Sequence, residues 1–252
     1  MELNRSGVQV AGGSGAIKYR LGDPFPSGLG AVDALVHAAY DFKAIRWEDI
    51  HEINVEGTAQ LFDSAHNIGV RKLLNISSMS AFEGCLSLYG KAKLLTEPIV
   101  ARLGGISLRP GLIFDEEQPK GMVGKLRVLV SRIPLIPLPG NGQNILYFSH
   151  QEDLCLLVED YCSTKSIASE YYINSANSQP WMFRDILREL AFRQKREISF
   201  ISTPWQLTWG ALKLPELFGI SPPFKSDSLI SLLNQNPTPH FDNSISSRFR
   251  QF

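Results

Sequence analysis

The chain alternates short apolar runs with segments of helical period, and that alternation limits its fold more than any other feature. Leu35 to Ala39 is a compact apolar run that ends in small residues. Trp47 to Ile68 follows at helical spacing, with Ile50, Ile53, Val55, Leu61, Phe62 and Ala65 as its apolar stripe and Gly69 as its stop. Val70 to Ile76 reads as the next strand. Leu88 to Leu103 reads as the next helix, kinked or shortened at Pro98. Ile106 to Arg109 is a further strand, stopped by Pro110-Gly111. Strands separated by helices pair in parallel and are covered by helices on both faces. Such sheets take their ligands beyond the carboxyl ends of the strands. Ala38-Ala39-Tyr40, Ser77-Ser78 and Pro110-Gly111 are all such ends, so they are expected to gather on one edge.

The pattern loosens after about Asp115. Gly121 to Ile133 predicts a helix, and Pro134, Pro137 and Pro139 then punctuate an apolar loop ending Gly140-Asn141-Gly142. Gln151 to Tyr161 predicts a helix and Tyr171 to Asn174 a strand. Phe183 to Phe192 and Leu207 to Leu217 are helical in period, with a β-like Ile198 to Ile201 between them. Trp181, Phe183, Phe192, Trp205 and Trp209 read as core, with the lining of an apolar substrate pocket as the alternative. Pro237 to Phe252 is polar and weakly patterned, and is expected to gain order by docking on the body.

Composition removes several classes of function. The 252 residues carry 25 basic and 25 acidic side chains, without a charge run suited to nucleic acid or an acidic membrane surface. Cys85, Cys155 and Cys162 lack metal-ligand spacing and read as free thiols of a reducing compartment. No apolar stretch approaches the roughly 20 residues of a membrane span. The opening residues lack the apolar core of a signal peptide. The expectation is a soluble cytoplasmic protein without a resident metal.

Candidate chemistry concentrates between Ile76 and Glu97. Tyr89 and Lys93 stand four residues apart, on one face of the expected helix. A nearby ammonium favours the phenolate form of a tyrosine. Ser77 and Ser78 follow a strand, so a serine hydroxyl is placed to meet the same substrate oxygen. The set suits proton transfer at a carbinol or carbonyl while hydride moves elsewhere.

The ordered motifs resemble the short-chain dehydrogenase/reductase superfamily, in its extended and atypical branch of NAD-dependent epimerases and dehydratases. They are Leu-Gly-Asp at 21–23, His-Ala-Ala at 37–39, Asn-Val-Glu-Gly-Thr at 54–58, Gly-Val-Arg-Lys at 69–72, Ile-Ser-Ser at 76–78, Tyr-Gly-Lys-Ala-Lys at 89–93 and Leu-Arg-Pro-Gly at 108–111. Pro-Leu-Pro-Gly-Asn-Gly at 137–142 and His150 with Glu152-Asp153-Leu154 extend the likeness. The resemblance implies an α/β fold: a Rossmann-like sheet over residues 1–115, and a smaller C-terminal α+β substrate region over 116–252 with a strand near 170–175 returning to the main sheet. It implies Tyr89 as acid/base, Lys93 as its partner and a ribose ligand, and Ser78 as the polarising hydroxyl, with Ser80 as fallback. It also implies cofactor contacts from Asp23, Ala38, Ala39, Asn54, Ser77, Pro110 and Gly111, with NAD or NADP as cofactor. The implied partner is a small molecule: a sugar nucleotide, a sterol-like compound or another alcohol or ketone. A homodimer is a further expectation.

One departure concerns the amino-terminal part. The family opens with a strand and a glycine-rich turn that holds the pyrophosphate. Here Gly12-Gly13-Ser14-Gly15 has Lys18 where the third glycine belongs, and it lies too close to Leu21-Gly22-Asp23 for a βαβ unit of roughly 30 residues. The reading is therefore that Gly7 to Val10 is the family's second strand and Ala16 to Leu21 its third, with the first strand and the phosphate loop absent. Two functions follow as expectations. One is an NAD(P)-dependent oxidoreductase or epimerase/dehydratase, impaired by that loss. The other is a non-catalytic binding, sensing or assembly protein on the same scaffold. His37 is expected to be a core histidine, His150 and Asp153 a helix start, and Arg109 a residue that ties the sheet together.

Overall fold

The computed structural model describes residues 2–4, 16–26, 32–118, 120–163, 170–220 and 222–252. Its first strands are β1 (Glu2–Asn4), β2 (Ala16–Lys18) and β3 (Ala34–His37). A helical stretch follows as α1 (Trp47–Ile50), a π-helical turn (His51–Glu56) and α2 (Gly57–Asn67). Gly69, at φ +92°, ends it. Then come β4 (Lys72–Ile76), α3 (Leu88–Arg102), β5 (Ile106–Pro110) and β6 (Leu112–Phe114). The remainder is α4 (Gly121–Arg132), β7 (Leu135–Pro139), β8 (Ile145–Leu146), β9 (Phe148–His150), α5 (Gln151–Ser163), β10 (Tyr172–Ser175) and β11 (Trp181–Met182). The chain closes with α6 (Phe183–Arg193), β12 (Ser199–Thr203), α7 (Trp205–Leu217), α8 (Ser226–Leu233) and α9 (Asn243–Ser246).

The main sheet has the order β10-β5-β4-β3 and is parallel throughout. Adjacent residues of β4 point to opposite faces. Leu73 packs with Phe62, Ala65 and Val100 of α2 and α3, whereas Leu74 packs with Leu154, Leu157 and Phe249 on the other face. Both faces are thus covered, as the continuous apolar run of this strand requires. A separate core joins β6, α4, β7, β9 and α6 around Val130, Phe148, Ile186 and Leu187.

Three expectations change. Pro98 does not end its helix, because α3 runs on to Arg102 with Pro98 on the exposed face. The proline-rich segment is not a loop but the strand β7, parallel to β12. Its even-numbered residues face β12: the Ser199 amide donates to the Pro134 carbonyl and the Gly140 amide to the Thr203 carbonyl. Pro137 and Pro139 have the opposite parity, so their missing amides fall on the unpaired side. The amino-terminal pairing is β1 with β2, in parallel from Glu2–Ala16 to Asn4–Lys18. The strand expected at Gly7 to Val10 and the glycine turn at Gly12 to Gly15 lie outside the described residues. Of the strand expected over Ala16 to Leu21, Ala16–Lys18 is extended, and Leu21 and Gly22 form a turn.

Candidate active site at the carboxyl edge of the sheet

Tyr89 stands in the first turn of α3, where free backbone amides need partners. The Ser87 hydroxyl accepts the Gly90 amide at 3.0 Å. The carboxylate of Asp227, from α8, accepts the amides of Leu88 and Tyr89 at 2.7 and 3.0 Å. A negative group at this end also suits the helix dipole. These bonds fix the backbone that carries the phenol.

The segment after β4 continues along β5. The Ser77 amide donates to the Leu108 carbonyl at 2.7 Å, and the Met79 amide to the Pro110 carbonyl at 3.0 Å. The Ser80 amide donates to Ser78 Oγ at 3.1 Å. Gly90 explains how closely this segment lies on α3. A Cβ there would stand 2.3 Å from the Ser80 carbonyl oxygen. Ser78, rather than Ser80, faces the tyrosine; the Ser80 hydroxyl bonds that of Ser231 at 2.9 Å.

Lys93 follows one turn below, buried, with Nζ donating to the Ile76 carbonyl at 2.7 Å. Burial lowers its ammonium to about 8, against the opposing pull of Glu97. The expected depression of the Tyr89 phenol is not found. Burial pushes it above its ordinary value, and the Ser78 hydrogen bond opposes that only in part. The low-dielectric surroundings that lower the lysine also disfavour a phenolate.

Ser77, expected as a cofactor contact, is buried and turns its hydroxyl inward. Its hydroxyl donates to Glu97 Oε1 at 2.6 Å. Glu97 in turn accepts Arg109 Nε and Nη2 at 2.7 and 2.6 Å, a bidentate buried pair. The Arg109 guanidinium lies 3.6 Å from the centre of the Tyr172 ring. Asn75 donates to Thr96 and Ser107 at 3.1 and 3.2 Å beside this pair.

Other expected residues stand around the same edge. Ala38 and Ala39 are exposed at the end of β3. Asn54, in the π-helical turn, accepts the Asp41 amide at 2.6 Å and donates to the Asp41 carbonyl at 3.3 Å, so it pins the segment that follows β3. Such turns are frequent at functional positions. Pro110 ends β5, and Gly111 passes so close to Tyr147 that a Cβ would meet its carbonyl oxygen at 2.2 Å. Asp23 is exposed and accepts the Arg20 amide at 3.0 Å, closing its own turn. His37 is a core residue. Its Nε2 donates to Thr58 Oγ1 at 3.0 Å, because that hydroxyl already gives its proton to the Asn54 carbonyl at 2.7 Å. Burial holds the His37 imidazole down to about 3. His150 closes β9 and Asp153 lies in the first turn of α5, where it accepts the Arg250 amide at 2.8 Å.

Some contacts of the site carried no signal in the sequence, although Tyr40 belonged to an expected strand end. Tyr40 meets the Tyr89 ring edge-on at 4.9 Å, and Phe42 stacks on it at 5.8 Å. Asp227 stands far along the chain. Glu97 had a readable cue, since it lies four residues beyond Lys93 on the same helix face. The aromatic residues divide: Trp181 and Phe183 pack on the carboxyl-terminal core, whereas Phe192, Trp205 and Trp209 are exposed. Among the described residues, no group of three or more His, Cys, Asp or Glu side chains is placed to hold a metal. No described helix is long and apolar enough to cross a membrane.

The parallel sheet and its flanking helices define a Rossmann-like fold. Solved structures of NAD-dependent epimerases and dehydratases share it. MoeE5, solved with UDP-glucuronic acid and NAD, is 16% identical over 80% of this chain and 76% of its own, with a TM-score of 0.65. The UDP-glucose 4-epimerase of Thermotoga maritima, solved with UDP-glucose, is 16% identical over 68% and 64%, with a TM-score of 0.57. DesIV, the dTDP-glucose 4,6-dehydratase of Streptomyces venezuelae solved with NAD and TYD, is 18% identical over 68% and 61%, with a TM-score of 0.54. No protein-family model and no characterised protein matches the chain by sequence. At such identities the likeness is one of fold.

Proposed function

We propose that the chain binds NAD and catalyses proton and hydride transfer at a carbinol or carbonyl carbon, as an oxidoreductase or epimerase/dehydratase. The observation that carries this reading is the gathering of Ser78, Tyr89 and Lys93 at the carboxyl edge of the sheet: Ser78 follows the end of β4, Tyr89 opens α3, and Lys93 Nζ one turn on donates to the Ile76 carbonyl at 2.7 Å. NAD in the neighbouring structures supports the choice of cofactor. The residues present fit its nicotinamide and ribose half. Ala38 and Ala39 offer a strand end without bulky side chains, Pro110 and Gly111 close β5 two strands away, and Lys93 offers an ammonium one helical turn from Tyr89 in sequence. When bound, the nicotinamide supplies the hydride acceptor or donor.

In this reading the Ser78 hydroxyl polarises the substrate oxygen. Tyr89 gives or takes the proton at that oxygen, and Lys93 keeps positive charge near the phenol. The raised phenol suits proton donation, the direction of carbonyl reduction. The reverse direction needs the phenolate, which the Ser78 hydroxyl favours.

The substrate is an alcohol or ketone. The short segment between Ser78 and Tyr89 is backed by α8 through Ser231, Asn234 and Asp227, so we assign that helix to the substrate wall. UDP-glucose, named for one neighbour, belongs in the first substrate panel beside sterol-like and small alcohols.

Calorimetry with NAD(H) and NADP(H) tests the cofactor, with saturable binding as the expected result. Tyr89→Phe should then keep that binding and lower turnover by on the order of 10²–10⁴-fold. No saturable binding of either cofactor by the folded full chain removes the reading.

A further inference from the structure

Helix α7 has an unusual surface. Leu207, Leu214, Leu217 and Phe218 are 69%, 60%, 69% and 76% exposed. Trp205 and Trp209, two of the chain's four tryptophans, are also exposed. At about 3.6 residues per turn these side chains do not form one stripe. Leu207, Leu214 and Phe218 share one side, Leu217 lies on another, and the tryptophans lie on a third. From Pro204 to Phe224 the charged residues are Lys213 and Glu216, and they pair at 3.4 Å. Glu216 is buried and also accepts the amide and hydroxyl of Ser226, at 2.8 and 2.7 Å. The outside of α7 therefore presents no carboxylate. Leu135 and Ile201 are also exposed, on one face of the β7–β12 pair that precedes the helix.

A helix apolar around most of its circumference belongs in a protein core or in lipid. A protein partner would cover one side of it, whereas the exposed apolar side chains of α7 point to several, with Gln206 and the partly exposed Lys213 as polar groups between them. Lipid accepts apolar side chains on several sides and asks for no hydrogen-bonding partners. Tryptophans favour the level of the lipid headgroups. The 13 residues of α7 are fewer than the roughly 20 of a span, so the helix would lie along the surface. We propose that α7 is a membrane-docking helix that seats this protein on a lipid bilayer through uncharged contacts. This surface does not depend on the enzymatic reading.

Flotation of the full chain with phosphatidylcholine vesicles, and with vesicles also containing phosphatidylserine, tests the proposal. The chain should float with both, and brominated lipid should quench its tryptophan emission. Trp205→Phe with Trp209→Phe should abolish that quenching. Leu214→Glu, Leu217→Glu and Phe218→Glu together should weaken partitioning about a hundredfold or more, with the circular dichroism spectrum unchanged. Three results overturn the proposal: a wild-type chain that floats with neither vesicle; flotation confined to phosphatidylserine vesicles and indifferent to the triple substitution; or a dimer that does not float and that the triple substitution dissociates, which would assign the face to a second copy. If the triple variant fails to fold, quenching that persists in the double tryptophan variant decides against α7.

Discussion

Lys93 shows how burial sets the behaviour of a single group. Its ammonium falls from an ordinary 10.5 to about 8 because the helix and sheet exclude water from it. The folded chain therefore binds fewer protons than the unfolded chain between about pH 8 and 10.5. Stability attributable to Lys93 rises with pH across that window, and the cost of the buried charge is fully present below it. Denaturant midpoints of the native chain and of Lys93→Met should show a difference that changes by roughly 3 kcal/mol across the window. A constant difference would mean that Lys93 is solvated. Gly90 is the steric counterpart. Gly90→Ala should lower stability by about 1–3 kcal/mol, since the Ser80 carbonyl has to move. The displacement should also weaken the pull of Ser78 on the Tyr89 phenol and so raise it further, which ultraviolet titration would register against Tyr89→Phe.

At the scale of elements, α3 is held to the sheet by more than apolar packing. Glu97 of α3 and Arg109 of β5 form a buried pair, with Ser77 completing the carboxylate. Breaking such a pair leaves an uncompensated charge in a dry interior. Glu97→Leu should therefore cost about 3–5 kcal/mol. Glu97→Leu with Arg109→Met should recover much of it. A thermal-melt cycle over the two positions measures this, and additive losses would show that the pair is not coupled. The opposite end of α3 is fastened by α8, whose Asp227 takes the two amides at Tyr89. The tyrosine is thus positioned from both ends of its helix, once by the sheet and once by a helix distant in sequence.

At the scale of the whole molecule, the carboxyl-terminal segment is part of the body. Phe249 is buried against Leu108, Leu154 and Leu157, and its carbonyl accepts Asn177 Nδ2 at 2.6 Å. Asn174 Nδ2 donates to the His240 carbonyl at 2.6 Å, and Arg250 pairs with Glu152 and Asp153. Phe249→Ala should lower stability by about 3–5 kcal/mol, read as a lower thermal midpoint. A loss of a few tenths would mean that the segment rests only on the surface. The sequence by itself determined the alternation of strands and helices, the shared face of Tyr89 and Lys93, and the core role of His37, because each depends on local period or on small spacing. The directions of Ser77 and Ser78 depended on which side of the strand end packs against α3, and neighbouring residues of a strand necessarily point apart. The strand character of the proline-rich β7 depended on a partner more than 60 residues away, Ser199 against Leu135. Asp227, Tyr40 and Phe42 reach the tyrosine only when distant elements meet, and the rise of its phenol comes from the burial that this meeting creates. Periodicity is a property of neighbours along the chain, whereas burial, charge pairing and strand partnership are properties of neighbours in space.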